Sequence, residues 1–257
     1  MSNDYAGSGD FKRSLELLWG SKERPARGPR PKLTVAQIVR AAIEIADADG
    51  LRALSMRRVA ESLGTGTMSL YRYVPSKAEL IDVMIDAVWA EGAWPDEQPG
   101  GWRARLEQTA REEHALYQRH PWLLHVSQAR PLFGPNSMAA YDAALRTVAG
   151  LGLSGHEMAA MTALVSFYVQ GTARTLTEFR QAPQRTGVTD EQWWGAQLPF
   201  MEKAFADGRF PTLAAVHASG AYEPDDDFFS FEFGLQRVLD GVETFIQARS
   251  AQLPGTQ

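Results

Sequence analysis

Between Thr67 and Tyr73 the chain sets Thr67, Met68, Ser69, Tyr71, Arg72 and Tyr73 around Leu70, with Val74 one helical turn further on. With Leu70 and Val74 turned inward, the other six point largely outward, and their chemistry suits the groove of a DNA duplex. Hydroxyls can bond phosphates or base edges, a methionine can sit on a thymine methyl, and a guanidinium can take guanine or a phosphate.

The surrounding residues spell the elements that would hold this run in place. Ser55 can cap a helix whose Val59, Ala60 and Leu63 share one face, with Arg57 and Arg58 projecting away, and Gly64 stops it. Pro75 ends the second run, and Ser76 to Glu79 reads S-x-x-E, a capping box for the next helix. Upstream, Thr34 and Gln37 form a T-x-x-Q box, and Val35, Ile38, Val39, Ala42, Ile45 and Ala46 make the stripe of a scaffold helix ending at Gly50. Downstream, Leu80, Ile81, Met84, Ile85, Val88 and Trp89 cover more than one face until Gly92 and Pro95. A helix apolar on two sides touches two bodies, so this one is the expected connector to whatever follows.

From Thr34 to about Glu91 these residues resemble the DNA-binding domain of the TetR family of bacterial transcription regulators. The resemblance rests on L-S-M-R-R-V-A-E-x-L-G followed by M-S-L-Y-R-Y-V-x-x-K. It implies recognition contacts at Thr67, Met68, Ser69, Tyr71 and Tyr73 and phosphate contacts at Met56, Arg57 and Lys77. Met56 departs from the hydroxyl residue common at its position. The implied protein is a ligand-responsive regulator, a repressor, that grips a pseudopalindromic double-stranded operator as a homodimer.

Charge follows the same division. Residues 22–77 hold 11 Lys or Arg against 5 Asp or Glu, a net +6 in a chain of net −5, which leaves −11 on the rest. A local cation field on an acidic body steers one face to DNA. Within it, KERPARGPRPK (22–32) is kept extended by Pro25, Pro29 and Pro31, and Arg24, Arg27 and Arg30 space charge along it. Such an arm can lie in a minor groove; the alternative is a solvated tail. Residues 1–31 are therefore expected to be a flexible basic arm, with one helical turn at most near Ser14 to Trp19. Residues 32–92 form the helix-turn-helix domain and 99–250 a helical ligand-binding and dimerisation domain.

The expected fold is all-α. Beyond Pro99 the periodicity predicts helices at 102–119, 122–128, 137–149, 155–179, 190–206, 212–218 and 227–249, with further capping boxes at Ser154–Glu157 and Thr189–Gln192. Gly150 and Gly208 are expected stops, and Asp225 to Asp227 place anions at a helix start. Met161, Leu164, Val165, Tyr168, Phe229, Phe233, Val238, Val242 and Phe245 could serve either the subunit core or, as in the family, a four-helix dimer interface. No apolar stretch reaches the ~18 residues of a membrane span and there is no signal-peptide core, so no membrane partner is expected. The absence of cysteine fits a cytoplasmic protein.

The segment 119–136 also resembles the C-terminal domain of the tetracycline-repressor subgroup, at Arg130-Pro131 and Gly134-Pro135-Asn136. In the drug-binding members a histidine four residues before Arg-Pro binds the drug's magnesium ion; here that position is Val126, and the other key polar positions fall on Tyr168 and Leu176. A hard cation wants oxygen ligands, so the expected effector is small, hydrophobic or aromatic, and metal-free. Candidate pocket residues are Trp122, Arg130, Phe133, Phe167, Tyr168, Trp193 and Trp194.

No catalytic residue, metal site or cofactor is expected. The five histidines lack H-x-x-x-H or H-E-x-x-H spacing, no G-x-S-x-G elbow follows a strand, and Gly64-Thr65-Gly66 lacks the rest of a dinucleotide fingerprint. An all-helical enzyme is disfavoured. A DNA-binding architectural protein without an effector is the alternative, and the long aromatic C-terminal body argues against it.

Overall fold

The computed structural model describes residues 4–20, 33–94, 100–127, 129–222 and 231–252. Apart from a two-residue parallel bridge between β1 (Asp4–Tyr5) and β2 (Val126–Ser127), its regular elements are helical. The expected helix-turn-helix unit, termed the reading head, contains α2 (Val35–Asp49), α3 (Met56–Ser62) and α4 (Thr67–Leu70). The connector is α5 (Lys77–Trp89). The body is built from α6 (Gly101–Arg119), α7 (Pro135–Thr147), α8 (Gly155–Thr186) and α11 (Phe231–Gln252), which pack on one another, with α9 (Asp190–Ala206) and α10 (Pro211–Ala218) as an excursion.

Local chemistry accounts for most boundaries. Thr34 and Gln37 exchange both capping bonds at α2, as do Ser154 with Glu157 at α8 and Thr189 with Gln192 at α9. Ile38, Val39, Ala42, Ile45 and Ala46 bury the α2 stripe against Val59, Leu70, Leu80 and Met84 in one continuous core. Helix α8 runs past the expected end at Phe179 through Pro183 to Thr186. The segment 122–128 is not an α-helix: Pro121–His125 is a 3-10 turn that leads into β2.

The largest departure is at the N-terminus. Residues 4–20 are not a loose extension: after β1, helix α1 (Phe11–Leu18) is capped by Asp10, whose side chain accepts from the N–H groups of Lys12 and Arg13, and it packs on α5. The cause is a stripe of carboxylates on the connector. Glu79, Asp82 and Asp86, at i, i+3 and i+7, are all buried, and a buried carboxylate must find donors. Gly7 N–H donates to Asp82 Oδ1 at 2.8 Å and the Ser14 hydroxyl to Asp82 Oδ2 at 2.7 Å. Asp10 N–H donates to Glu79 Oε1 at 2.8 Å. The Ser76–Glu79 box is therefore incomplete. Ser76 caps α5 through Ala78 N–H, and Glu79 takes the Ser76 hydroxyl and the N-terminal segment instead of the Ser76 amide.

The third carboxylate, Asp86, faces the body. It accepts from Ser137 N–H at 2.9 Å, Asn136 N–H at 3.4 Å and Asn136 Nδ2 at 3.0 Å, capping α7 from a neighbouring helix. Gly134 makes room for it, since a Cβ there would collide with the Asp86 carboxylate.

Candidate functional site

In the reading head, Gly64 adopts φ +61°, a left-handed conformation that ends α3 and lets Thr65 N–H reach Ala60 O at 2.9 Å. The chain then re-enters helix at Thr67. Leu70 and Val74 have no exposed surface and anchor the run, while Met68 is 78% and Tyr71 42% exposed and Arg72 is also exposed. Thr67 and Ser69 are half-buried; Tyr73 packs partly against the core, so its ring has a structural share. These six candidates lie on one short surface, with the apolar pair beneath.

The flanking cations are arranged less simply. Arg57 is exposed but engaged with Glu61 at 2.8 Å, which raises its pKa; Arg58 pairs with Asp49. Lys77 Nζ donates to Leu51 O at 3.2 Å. Met56 is buried in the core and cannot reach a phosphate. Arg27 and Arg30, with the rest of the basic arm, lie outside the described residues, as do Asp225 to Asp227 and Phe229.

The body, the connector and the N-terminal segment together line a partly open cavity of about 280 Å³. Its wall is drawn from α6 (Leu106, Glu113), α7 (Ala140, Tyr141) and α8 (Val165, Phe167), from Leu132 and Phe133, from the N-terminal Ala6, and from Asp82, Ile85 and Trp89 of the connector. Phe133 stacks on Tyr141 at 6.5 Å between centroids, and Trp89 meets Trp94 at 5.5 Å. Trp19 Nε1 donates to Phe133 O at 3.2 Å, tying α1 to that rim. The cavity is thus mostly apolar and touches the connector directly.

Of the pocket candidates, Phe133 and Phe167 stand in this wall and five lie outside it. Trp122 is a core residue whose Nε1 donates to Asp47 Oδ1 at 2.8 Å. Tyr168 turns its hydroxyl to Phe231 O at 2.9 Å and stacks on that ring. Arg130 is exposed, and Trp193 and Trp194 sit exposed on α9. Aromatic type alone could not separate these roles, because core, rim and surface rings recur at the same helical spacing. Val126 is buried in β2, where its Cα is opposite Asp4.

Two features of the site were not singled out from sequence. One is the buried carboxylate stripe of α5, whose signal was the 3- and 4-residue spacing of acids on an otherwise apolar helix. Burial raises the Asp82 carboxyl despite the Ser14 hydroxyl and Gly7 amide. Burial would also raise Glu79, but the Ser76 hydroxyl and backbone amides, including that of Asp10, outweigh it and hold the carboxyl low. The other is Glu113, buried at the cavity wall. Burial pushes its carboxyl up to about 7, against the Ser166 and Tyr117 hydroxyls that favour the ionised form.

Helices α9 and α10 bury no residue within one chain and expose Trp193, Trp194, Leu198, Phe200 and Leu213. On α8 and α11, Val165 and Val242 belong to the core, whereas Leu164, Phe233 and Phe245 are exposed. Among the described residues no helix is long and apolar enough to cross a membrane.

Comparison with known proteins gives a consistent result. Residues 38–84 match the family described as bacterial regulatory proteins, tetR family, and residues 94–246 the tetracyclin repressor-like C-terminal domain. The chain is 49% identical over 252 residues to the HTH-type transcriptional repressor DrrR1 of Streptomyces coeruleorubidus, covering 98% of this chain and 92% of that one. Among solved structures it resembles ActR of Streptomyces coelicolor. The apo form has TM-score 0.68 at 29% identity, covering 86% of this chain and 99% of that one. The complex with actinorhodin has TM-score 0.69 at 30% identity, covering 84% and 97%.

Proposed function

Because the chain belongs to the TetR family of bacterial regulatory proteins, we propose that it is a homodimeric transcriptional repressor released from its operator by a small, largely hydrophobic effector. The observation that carries this reading is that one helix serves both ends. Helix α5 begins directly after the Leu70–Val74 anchor of the reading run and ends in the wall of the cavity at Ile85 and Trp89.

A ligand that favours one position of α5 therefore shifts the reading head, by as much as its affinities for the two arrangements differ. Release by ten- to a hundredfold needs roughly 1.4–2.7 kcal/mol of such coupling. The exposed apolar surfaces of α8, α9, α10 and α11 support a second copy as the dimer partner. Two reading heads would then enter successive major grooves about 35–50 Å apart. The relatives support the same reading: DrrR1 is named a repressor, and ActR has been solved with actinorhodin and with (S)-DNPA.

The test is a band shift on DNA flanking the protein's own gene, across a salt series, with light scattering for the dimer. The expected result is one sequence-specific, salt-sensitive complex. It is released by an aromatic compound with or without a magnesium chelator, and less readily when Ala163→Leu narrows the cavity at the α8 wall to which Ala163 belongs. Equal binding to all duplexes by a monomer would overturn the regulator reading, and release that needs magnesium would overturn the metal-free effector.

A further inference from the structure

We propose that Glu113 is the recognition point for a positively charged nitrogen, so that the effector of this cavity is an apolar aromatic body carrying a protonated amine. This rests on reading the cavity as the effector site.

Glu113 is 6% exposed and lines the cavity from α6. The Ser166 hydroxyl donates to its Oε1 at 2.7 Å, and the Tyr117 hydroxyl donates to the same oxygen at 3.3 Å. Gln170 Nε2 in turn donates to the Tyr117 oxygen at 3.4 Å, which leaves the phenolic proton directed at Glu113. Among the described residues Oε2 accepts no hydrogen bond and no Lys, Arg or His forms an ion pair with this carboxyl.

On the same helix none of the cations forms an ion pair with Glu113: Arg119 pairs with Glu91, the His114 ring stacks on Phe231, and the buried Arg105 Nε makes no hydrogen bond among the described residues. Arg103 is held by Asp240 and Glu243 and Arg111 by Glu232, all on α11, and Arg111 also by Glu107. The other carboxyl of the wall, Asp82, is not equivalent, because both of its oxygens already have donors.

A carboxyl set among Ile85, Leu106, Ala110 and Val165 is costly unless it is paired. Here both donors converge on one oxygen and prepare it to carry charge, while the other oxygen is left for whatever enters. The missing component is a cation or strong donor at Oε2. An ammonium in this poorly solvated space supplies both charge and hydrogen bond, and such charge-assisted bonds are the strong ones. An aromatic ligand without a donor would fill the apolar wall but leave that oxygen without a partner, and a neutral hydroxyl would supply the hydrogen bond without the charge.

The experiment is calorimetric titration of the full-length protein with 2-(aminomethyl)anthraquinone and 2-(hydroxymethyl)anthraquinone, which differ in the charged group alone. Wild type is expected to bind the amine roughly tenfold or more tighter than the alcohol, and Glu113→Gln to bind the two equally. Should Glu113→Gln fail to show a folding transition, Glu113→Asp keeps the charge and is expected to retain a reduced amine preference. Equal binding by wild type, or an amine preference that survives Glu113→Gln, overturns the assignment of Glu113 alone. Binding of neither compound overturns the cavity as the site of aromatic effectors, and this inference with it.

Discussion

Asp47 Oδ1 lies 2.8 Å from His120 Nδ1, joining α2 of the reading head to the end of α6 in the body. The same oxygen accepts from Trp122 Nε1 at 2.8 Å, and His120 Nε2 lies 2.9 Å from Glu91 Oε2 just beyond the connector. Three segments thus meet at one buried imidazole. Asp47→Ala is expected to leave the Trp122 indole N–H unpaired in the core and to cost about 1–3 kcal/mol of stability. Asp47→Asn, which keeps an acceptor, should cost less. Thermal melts rank the two, and equal melting temperatures would show the joint contributes nothing.

At the reading surface, Met68→Ala and Tyr71→Ala should each cost roughly 1–3 kcal/mol on the cognate operator and less on random DNA, since both side chains are exposed. Tyr73 needs a different substitution. Its ring packs on the core, so Tyr73→Phe isolates the hydroxyl. Lys77→Ala should instead weaken all duplexes alike and lower the salt slope by about one. Arg57→Ala should behave in the same way but more mildly, because Arg57 must first leave Glu61. Band shifts across a salt series separate the groups, and indistinguishable effects would reject the sorting.

The N-terminal segment makes two distinct predictions. Replacing Arg24, Arg27 and Arg30 by Ala tests the basic arm while keeping the span between α1 and α2, and should reduce operator affinity while leaving the melt unchanged. Ser14→Ala tests the packed part, since it leaves Asp82 Oδ2 without its donor in a buried position. It should cost about 1–3 kcal/mol, read from denaturant unfolding. A neutral Ser14→Ala would mean that water replaces the hydroxyl.

The Glu113 carboxyl gives a signed pH dependence. Its pKa in the folded protein is about 7 against 4.5 for the free group, so between those values the native state holds more protons than the unfolded chain. Stability contributed at this site is therefore lost as pH rises from about 4.5 to 7, by up to roughly 3 kcal/mol. Glu113→Gln should flatten that slope and unfold later than wild type on the alkaline side. Parallel stability–pH curves for the two proteins would contradict the burial argument.

The reading head was legible in the linear chain because its determinants are local. Ser55, Gly64, Pro75 and the Thr34–Gln37 box act on backbone groups within four residues, and Leu70 and Val74 follow helical spacing, so sequence order alone set Met68, Tyr71 and Arg72 outward, while the partial burial of Thr67, Ser69 and Tyr73 came from tertiary packing. The two-sided apolar pattern of 80–89 likewise marked α5 as a connector. What sequence order could not decide were roles set by partners far along the chain. Glu79 reads as the acid of a capping box, and Asp82 and Asp86 carry no signal of their own, until residues 7–14 and 136–137 supply their donors. Trp122 and Phe133 are both aromatic residues in one short stretch, yet one is bonded to Asp47 in the core and the other lines the cavity. Burial and pairing depend on which segments the tertiary fold brings together, and these contacts span 50 or more residues. The chain thus encoded its DNA-reading element locally, whereas the packed N-terminus and the buried Glu113 exist only in the assembled structure.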